Sequence, residues 1–301
     1  MRGITRRAAL LGAAGALVAT RAEAVIVLDS TYRADAFRLH IELARRPQFR
    51  SLFALSEDQG ETLGAGSGAW IGNDADHGYV LTSAHNYDDD YDESSYVYVS
   101  TGGTRYQAED SFTHPFWSGS TADRSGYDAT IVRLTQRVTD AGPQPLLYAG
   151  TSELGRRLTF MGYGSRGIGT GGQNTDYDAD DNSPAAAEGL IERLVDAIPD
   201  VPRGTDNGSY FGITLPKEDG SIANRFGGQR RPVSRLAGLL GSGDSGGPAW
   251  LEIDGNWVIA GINSSGDDAA AYGDAAWFTR VSGLRDWIRV ILPRTRFYSE
   301  R

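Results

Sequence analysis

The stretch Gly241-Ser242-Gly243-Asp244-Ser245-Gly246-Gly247-Pro248 holds the residues best suited to covalent chemistry. Glycines crowd around Ser245, so the backbone can follow a path that a Cβ would forbid and aim successive N–H groups at one point, a nest that binds an oxyanion. A serine hydroxyl becomes a nucleophile when a base takes its proton and a third group orients that base. The chain has no cysteine, which removes a thiolate nucleophile, a sulfur-ligated metal and a disulfide framework. The four histidines, His40, His77, His85 and His114, all precede Ser245.

Chain order narrows the choice of base. Residues 243–247 satisfy the Gly-x-Ser-x-Gly elbow of α/β-hydrolases, but there the histidine follows the serine, and none follows Ser245. Only the orders His…Asp…Ser and Asp…His…Ser are left for a triad, and the second goes with alternating strands and long helices that this chain lacks. His85 ends the strand-like Tyr79-Val80-Leu81-Thr82-Ser83-Ala84, and Asp128 opens the apolar run Ala129-Thr130-Ile131-Val132. Both are polar residues at strand ends, where a rigid scaffold can fix a base and its orienter. His40, His77 and His114 carry no such context and read as structural groups.

The elements that must hold these groups are short strands. From about Phe49 onward, apolar runs such as Leu52-Phe53-Ala54-Leu55, Tyr96-Val97-Tyr98-Val99, Leu158-Thr159-Phe160-Met161, Arg193-Leu194-Val195, Trp257-Val258-Ile259-Ala260 and Trp277-Phe278-Thr279-Arg280-Val281 are separated by Gly, Asn, Asp and Ser. That pattern predicts barrels or sandwiches. Helices are expected at the periphery: one over Ala34 to Arg45, stopped by Pro47, and one opened by Ser282 as N-cap, with Leu284, Trp287, Ile288 and Ile291 on one face. Ala141-Gly142-Pro143-Gln144-Pro145 reads as a linker between two β-rich halves.

Three segments, Leu81-Thr82-Ser83-Ala84-His85, Tyr127-Asp128-Ala129-Thr130-Ile131 and Gly243-Asp244-Ser245-Gly246-Gly247-Pro248, resemble the signature segments of chymotrypsin-like (trypsin-family) serine proteases, in that family's order. The resemblance, to the secreted bacterial type, runs from about Phe49 to Leu292. It implies an all-β fold of two six-stranded antiparallel β-barrels with a C-terminal α-helix: residues 49–140, a linker at 141–150, residues 151–281, then the helix and tail at 282–301, with 25–48 ahead of the first barrel. It makes Ser245 the nucleophile, His85 the general base and Asp128 the acceptor that orients it. The N–H groups of Gly243 and Ser245 become the oxyanion hole, and Asp244 a structural ion-pair partner whose cation is a freed Val25 amine or an internal arginine such as Arg33 or Arg38. Ser264 and Gly266 fall where the family meets the substrate backbone, with Leu239 at the pocket floor and Ala276 on the facing wall, an apolar pocket for apolar or small side chains. Asn86 stands where the family has a cysteine, and Val25-Ile26-Val27-Leu28 is the nearest counterpart of the family's N-terminal Ile-Val-Gly-Gly. The alternatives are a catalytically degenerate binding homologue or an esterase on the same fold.

Charge and leader bound the remaining choices. With 29 basic against 39 acidic residues the chain carries a net charge of -10, which leaves no basic surface for nucleic acid. Its one lysine, Lys217, lies between Pro216 and Glu218, so there is no P-loop, and the Gly-x-Gly-x-x-Gly of residues 162–167 is followed by more glycines rather than a helix. Arg2, Arg6 and Arg7, the uncharged run Ala8 to Thr20 and Ala22-Glu23-Ala24 read as an export signal over residues 1–24, twin-arginine or general secretory, ending before Val25. The run is too short for a membrane anchor. The expected location is periplasmic or extracellular, and the expected partner a polypeptide substrate. No cofactor is expected. Asp88-Asp89-Asp90 with Asp92 and Glu93, and Asp176, Asp178 and Asp180, have the oxygen donors for calcium. The second run lacks a glycine at its sixth position, Asp181, and a glutamate at its twelfth, Ala187, so both read first as solvated loops.

Overall fold

The structure, a computed structural model, describes residues 25–87, 96–119, 127–177, 183–195, 209–267 and 269–299. The chain enters through β1 (Ile26–Val27), then two short helices, α1 (Asp29–Asp35) and α2 (Arg38–Ala44). A single helix over Ala34 to Arg45 is thus not what forms: Ala36 turns to φ 52° and ends α1, and the chain restarts at Arg38. Six strands follow, β2 (Leu52–Ser56), β3 (Gly66–Asn73), β4 (Gly78–Thr82), β5 (Val97–Ser100), β6 (Arg105–Thr113) and β7 (Thr130–Leu134). They pair antiparallel in the order β2-β3-β4-β7-β6-β5, and β5 returns to β2, closing a barrel with no free edge. Phe53, Leu55, Val80, Tyr98, Tyr106 and Val132 fill part of it. Gly68 makes room there, because a Cβ at that position would collide with Val80 and the Tyr98 ring.

The second half comprises β8 (Leu146–Tyr148), β9 (Arg157–Gly162), β10 (Gly167–Ile168), β11 (Gly172–Gln173), β12 (Ala185–Leu190), β13 (Arg193–Val195), β14 (Tyr210–Thr214), β15 (Gly238–Leu239), β16 (Pro248–Ile253), β17 (Asn256–Gly266) and β18 (Ala275–Arg280), then α3 (Val281–Ile291) and β19 (Phe297–Tyr298). Its main sheet runs β12-β9-β16-β17-β18-β14-β13. The two end strands, β12 and β13, are separated by only Ile191 and Glu192, so the sheet must curl until its ends meet through the chain rather than through a ladder. This half is a curled half-barrel, where a second closed six-stranded barrel was expected. The 141–150 connection contains β8, which pairs with β17 and β19.

The two halves share a core. One apolar cluster joins Leu52, Leu81 and Ile131 of the barrel to Met161, Trp250 and Ile259 of the second sheet, with Leu284 and Ile288 of α3 against it. The helix begins one residue before the expected cap: Arg280 is the N-cap, and Ser282 Oγ instead donates to Glu153 Oε1 at 3.0 Å. Glu153 is fully buried and also accepts from Arg280 Nε and Nη2 at 3.0 and 2.8 Å, a two-pronged ion pair sealed from water. Removing one partner of such a pair leaves an uncompensated buried charge. Glu153→Ala is therefore expected to lower unfolding stability by about 3 to 5 kcal/mol in a urea titration.

Candidate active site

His85 sits in a 3-10 turn, Ala84–Asn86, directly after β4, and Asp128 directly before β7, its hydrogen-bonded neighbour in the barrel. The barrel thereby brings two residues 43 positions apart into contact. Asp128 Oδ1 accepts the His85 backbone N–H at 3.0 Å, and Oδ2 lies 2.8 Å from His85 Nδ1. Two strands of the other half complete its surroundings: Ser264 Oγ donates to Oδ2 at 2.6 Å, and Thr279 Oγ1 donates to the Asp128 carbonyl at 3.0 Å. Burial raises the Asp128 pKa, but the His85 charge and the hydrogen bonds from His85 and Ser264 outweigh it, so the carboxyl is held below the ordinary value. Tyr127, at φ 60°, holds a backbone conformation rare for an aromatic residue while its ring stacks on His114 at 4.4 Å.

Ser245 Oγ lies 2.8 Å from His85 Nε2, so Ser245, His85 and Asp128 form one hydrogen-bonded line. The serine loop is fastened on every side. Ser67 N–H donates to Ser245 O at 2.7 Å, Gly246 N–H to Asn263 O at 2.8 Å, and Asn263 Nδ2 to Asp244 O at 2.8 Å. Asn86, the residue after His85, donates through Nδ2 to Ser245 O and to Thr82 Oγ1, both at 3.1 Å. Gly243 takes φ 90° and Gly246 φ 84°. Neither Gly243 N–H nor Ser245 N–H bonds a backbone acceptor within the loop, leaving both able to meet an oxyanion.

Asp244 is wholly buried. Its carboxylate accepts N–H groups from Gly241 at 2.8 Å, Gly164 at 2.9 Å and Val25 at 3.3 Å. Burial pushes its pKa up to about 7, against the pull of those donors and of the Arg166 charge. Arg33 and Arg38 do not supply the partner: Arg33 lies beside Asp29, and Arg38 pairs with Asp35 and Glu42 at the surface. The buried cation of this region is Arg166, which lies over the Phe37 ring at 4.9 Å.

A cavity of about 190 Å³ opens beside Ser245, with Ser264 and Gly266 on one side and Leu240, Gly241 and Ala270 on others. Leu239 is not its floor. It pairs with Ile26, fully buried in the core, because alternation in β15 turns Leu239 inward and leaves Leu240 to the cavity. Ala276, paired with Ile213 and Gly266, is also buried and does not line it. Sequence reasoning did not find Ser67, Asn263, Gln173 or Arg166. Gln173 Oε1 accepts Ser242 N–H at 3.0 Å across a separation of 69 residues, which leaves no local signal.

The other histidines are engaged elsewhere: His40 Nδ1 meets Ala186 O at 2.7 Å, and His77 lies between Asp74 and Glu109. The acidic run at 88–93 lies outside the described residues, as do Asp178, Asp180 and Asp181. Asp176 accepts from Asn174, and among the described residues no three His, Asp or Glu side chains gather as a metal site. Residues 1–24 also lie outside them, and among the described residues no helix is long and apolar enough to cross a membrane.

The loop depends on Gly246, where a Cβ would overlap Thr82 Oγ1 and Ser67 O at a positive φ. Gly246→Ala should cost at least about 2 kcal/mol of stability, read from a denaturant midpoint.

No family model matches the chain. Among solved structures it is similar to neuropsin, described as a serine protease expressed in the limbic system of mouse brain. The TM-score is 0.55 at 20% sequence identity, over 82% of this chain and 96% of that one. The closed six-stranded barrel, the curled second half and the C-terminal helix together are the chymotrypsin-like serine protease fold.

Proposed function

We propose that the protein is a serine endopeptidase acting through an acyl-enzyme. The reading rests on the continuous line from Asp128 through His85 to Ser245, with both contacts to the ring at 2.8 Å. His85 Nε2 takes the Ser245 Oγ proton as the oxygen attacks a peptide carbonyl. The new oxyanion meets the N–H groups of Gly243 and Ser245, donors worth about 3 to 4 kcal/mol each in such sites. Asp128 holds the imidazole tautomer and stabilises the imidazolium. His85 then passes its proton to the leaving amine, and a water deprotonated by the same ring hydrolyses the ester. Leu240 and Ala270 in the cavity favour apolar or small side chains before the scissile bond. The leader at 1–24 supports export to the periplasm or beyond, with the chain of the mature enzyme starting at Val25.

Ser245→Ala is expected to lower turnover of a peptide substrate by about six orders of magnitude with folding intact. Loss of labelling by an active-site phosphonate should accompany it. Activity within tenfold of the parent would refute the assignment, and turnover of esters but not peptides would replace it with an esterase.

Cleavage before Val25 would turn the Val25 N–H, already 3.3 Å from Asp244 Oδ2, into a charged amine. Where no amine is present, Asp244 keeps a proton in the folded state between its ordinary value of 3.8 and about 7. A pKa raised on folding means that stability falls as pH rises through that window. Protein carrying a few extra residues ahead of Val25 should show that fall, and protein starting at Val25 should not. Active-site titration should give the Val25-start form the larger active fraction. Equal titration and equal pH profiles would dispose of the amine as trigger.

A further inference from the structure

Among the described residues lining the cavity beside Ser245, one bears a carboxyl group, Asp267, which follows the end of β17. The backbone fixes its carboxylate: Oδ2 accepts the Ala275 N–H at 3.0 Å, while Asp267 N–H bonds Ala275 O at 3.1 Å. Alone, this group would give the cleft a negative wall. It is not alone, because Arg225 Nη1 bonds Oδ2 from the connection at 215–237, between β14 and β15.

The connection is built to deliver that guanidinium. On one side of Arg225, Asn224 Nδ2 lies within 2.7 to 3.0 Å of both Glu192 carboxylate oxygens, Thr214 Oγ1 and Gln229 O. Glu192 Oε1 also accepts Gln229 N–H at 2.6 Å. On the other side, the Phe226 ring packs on Trp277 at 5.2 Å, with the Arg193 guanidinium over its face at 5.6 Å. Arg225 itself is half exposed, and an ion pair so open to water adds little to stability. Its consequence is for what enters the cleft.

Resting on the peptidase reading above, we infer that Arg225 is a specificity-determining residue: it neutralises Asp267 and thereby withdraws the negative charge that would select Arg or Lys side chains near the scissile bond. A substrate cation approaching Asp267 meets a like charge already in place. With Arg225 removed, the carboxylate stays where it is, since Ala275 N–H holds it, and becomes available to the substrate.

The test compares parent, Arg225→Ala, Asp267→Asn and the double variant. Tetrapeptide amides carrying Arg or norleucine at each of the three residues before the scissile bond are titrated calorimetrically, and the same peptides are assayed as fluorogenic substrates. Arg225→Ala should raise the preference for Arg over norleucine by about threefold to tenfold at one position. The gain should shrink at high salt and vanish in the double variant. An unchanged preference in Arg225→Ala, or the same gain in the double variant, overturns the inference. Binding measures the charge mask whether or not any peptide is cleaved, whereas cleavage by the parent protein alone measures the peptidase reading, so the two fail separately.

Discussion

A carboxylate with no water in reach has to be compensated by the protein around it, and Asp244 is placed so that its compensation shapes everything near Ser245. Its three N–H donors come from Val25 ahead of the barrel, Gly164 after β9 and Gly241 in the serine loop itself. Three parts of the chain, far apart in sequence, converge on one side chain. If any of them moved away, a buried carboxyl group would lose a partner at a cost of about 1 to 3 kcal/mol. The Gly241 donor closes the loop locally, and the other two tie that closed loop to the N-terminal segment and to the turn after β9. The aim of the Gly243 and Ser245 N–H groups therefore follows from how Asp244 is satisfied.

The absence of cysteine makes this dependence sharper. Proteins of this fold class that use disulfides lock their loops covalently, while here each loop at the site is held by hydrogen bonds. Asn86 does it beside His85, reaching Ser245 O and Thr82 Oγ1. Asn263 does it behind Ser245, reaching Asp244 O and Met161 O. Ser67 does it from β3, its N–H on Ser245 O and its Oγ accepting Tyr163 N–H at 3.0 Å. Asn263 and Ser67 are fully buried and Asn86 partly so, and the low local dielectric there strengthens each bond. Such a framework is complete once the chain is folded and needs no oxidising compartment.

Much of this was legible in the sequence, for physical reasons that also explain what was not. Short apolar runs bounded by turn residues marked β2, β4, β5 and β7 of the first barrel to within a residue or so, while the mostly polar β6 carried no such run. The His85, Asp128 and Ser245 segments could be read because each pairs a reactive side chain with a local context, a strand end or a glycine nest. Leu239 and Leu240 are the counter-example: both are apolar, adjacent and plausible at a pocket floor, and only the pairing of Ile26 with Leu239 decides which one faces the cavity. The break at Ala36 was likewise hidden, since an alanine at positive φ has no composition signal. The partner of Asp267 lay 42 residues away in an irregular connection, beyond any local rule.

The segment from Val25 to Thr31 belongs to the site more than to the first barrel it precedes. β1 is two residues long and so are β10, β11 and β15, and strands that short do not persist as isolated pairs. They exist here as one sheet in the order β11-β10-β1-β15, with β1 as the strand that joins β10 to β15. The next residues extend the junction: Asp29 accepts from Thr170 N–H at 2.9 Å, its own N–H donates to Tyr272 Oη at 3.0 Å, and Tyr272 donates to Glu218 at 2.8 Å. Three of the segments joined in this way carry cavity residues: Gln173 in β11, Leu240 after β15, and Ala270 two residues before Tyr272. The cavity walls are consequently assembled by the N-terminal segment, and the same insertion that brings Val25 to Asp244 also gives the cleft its shape.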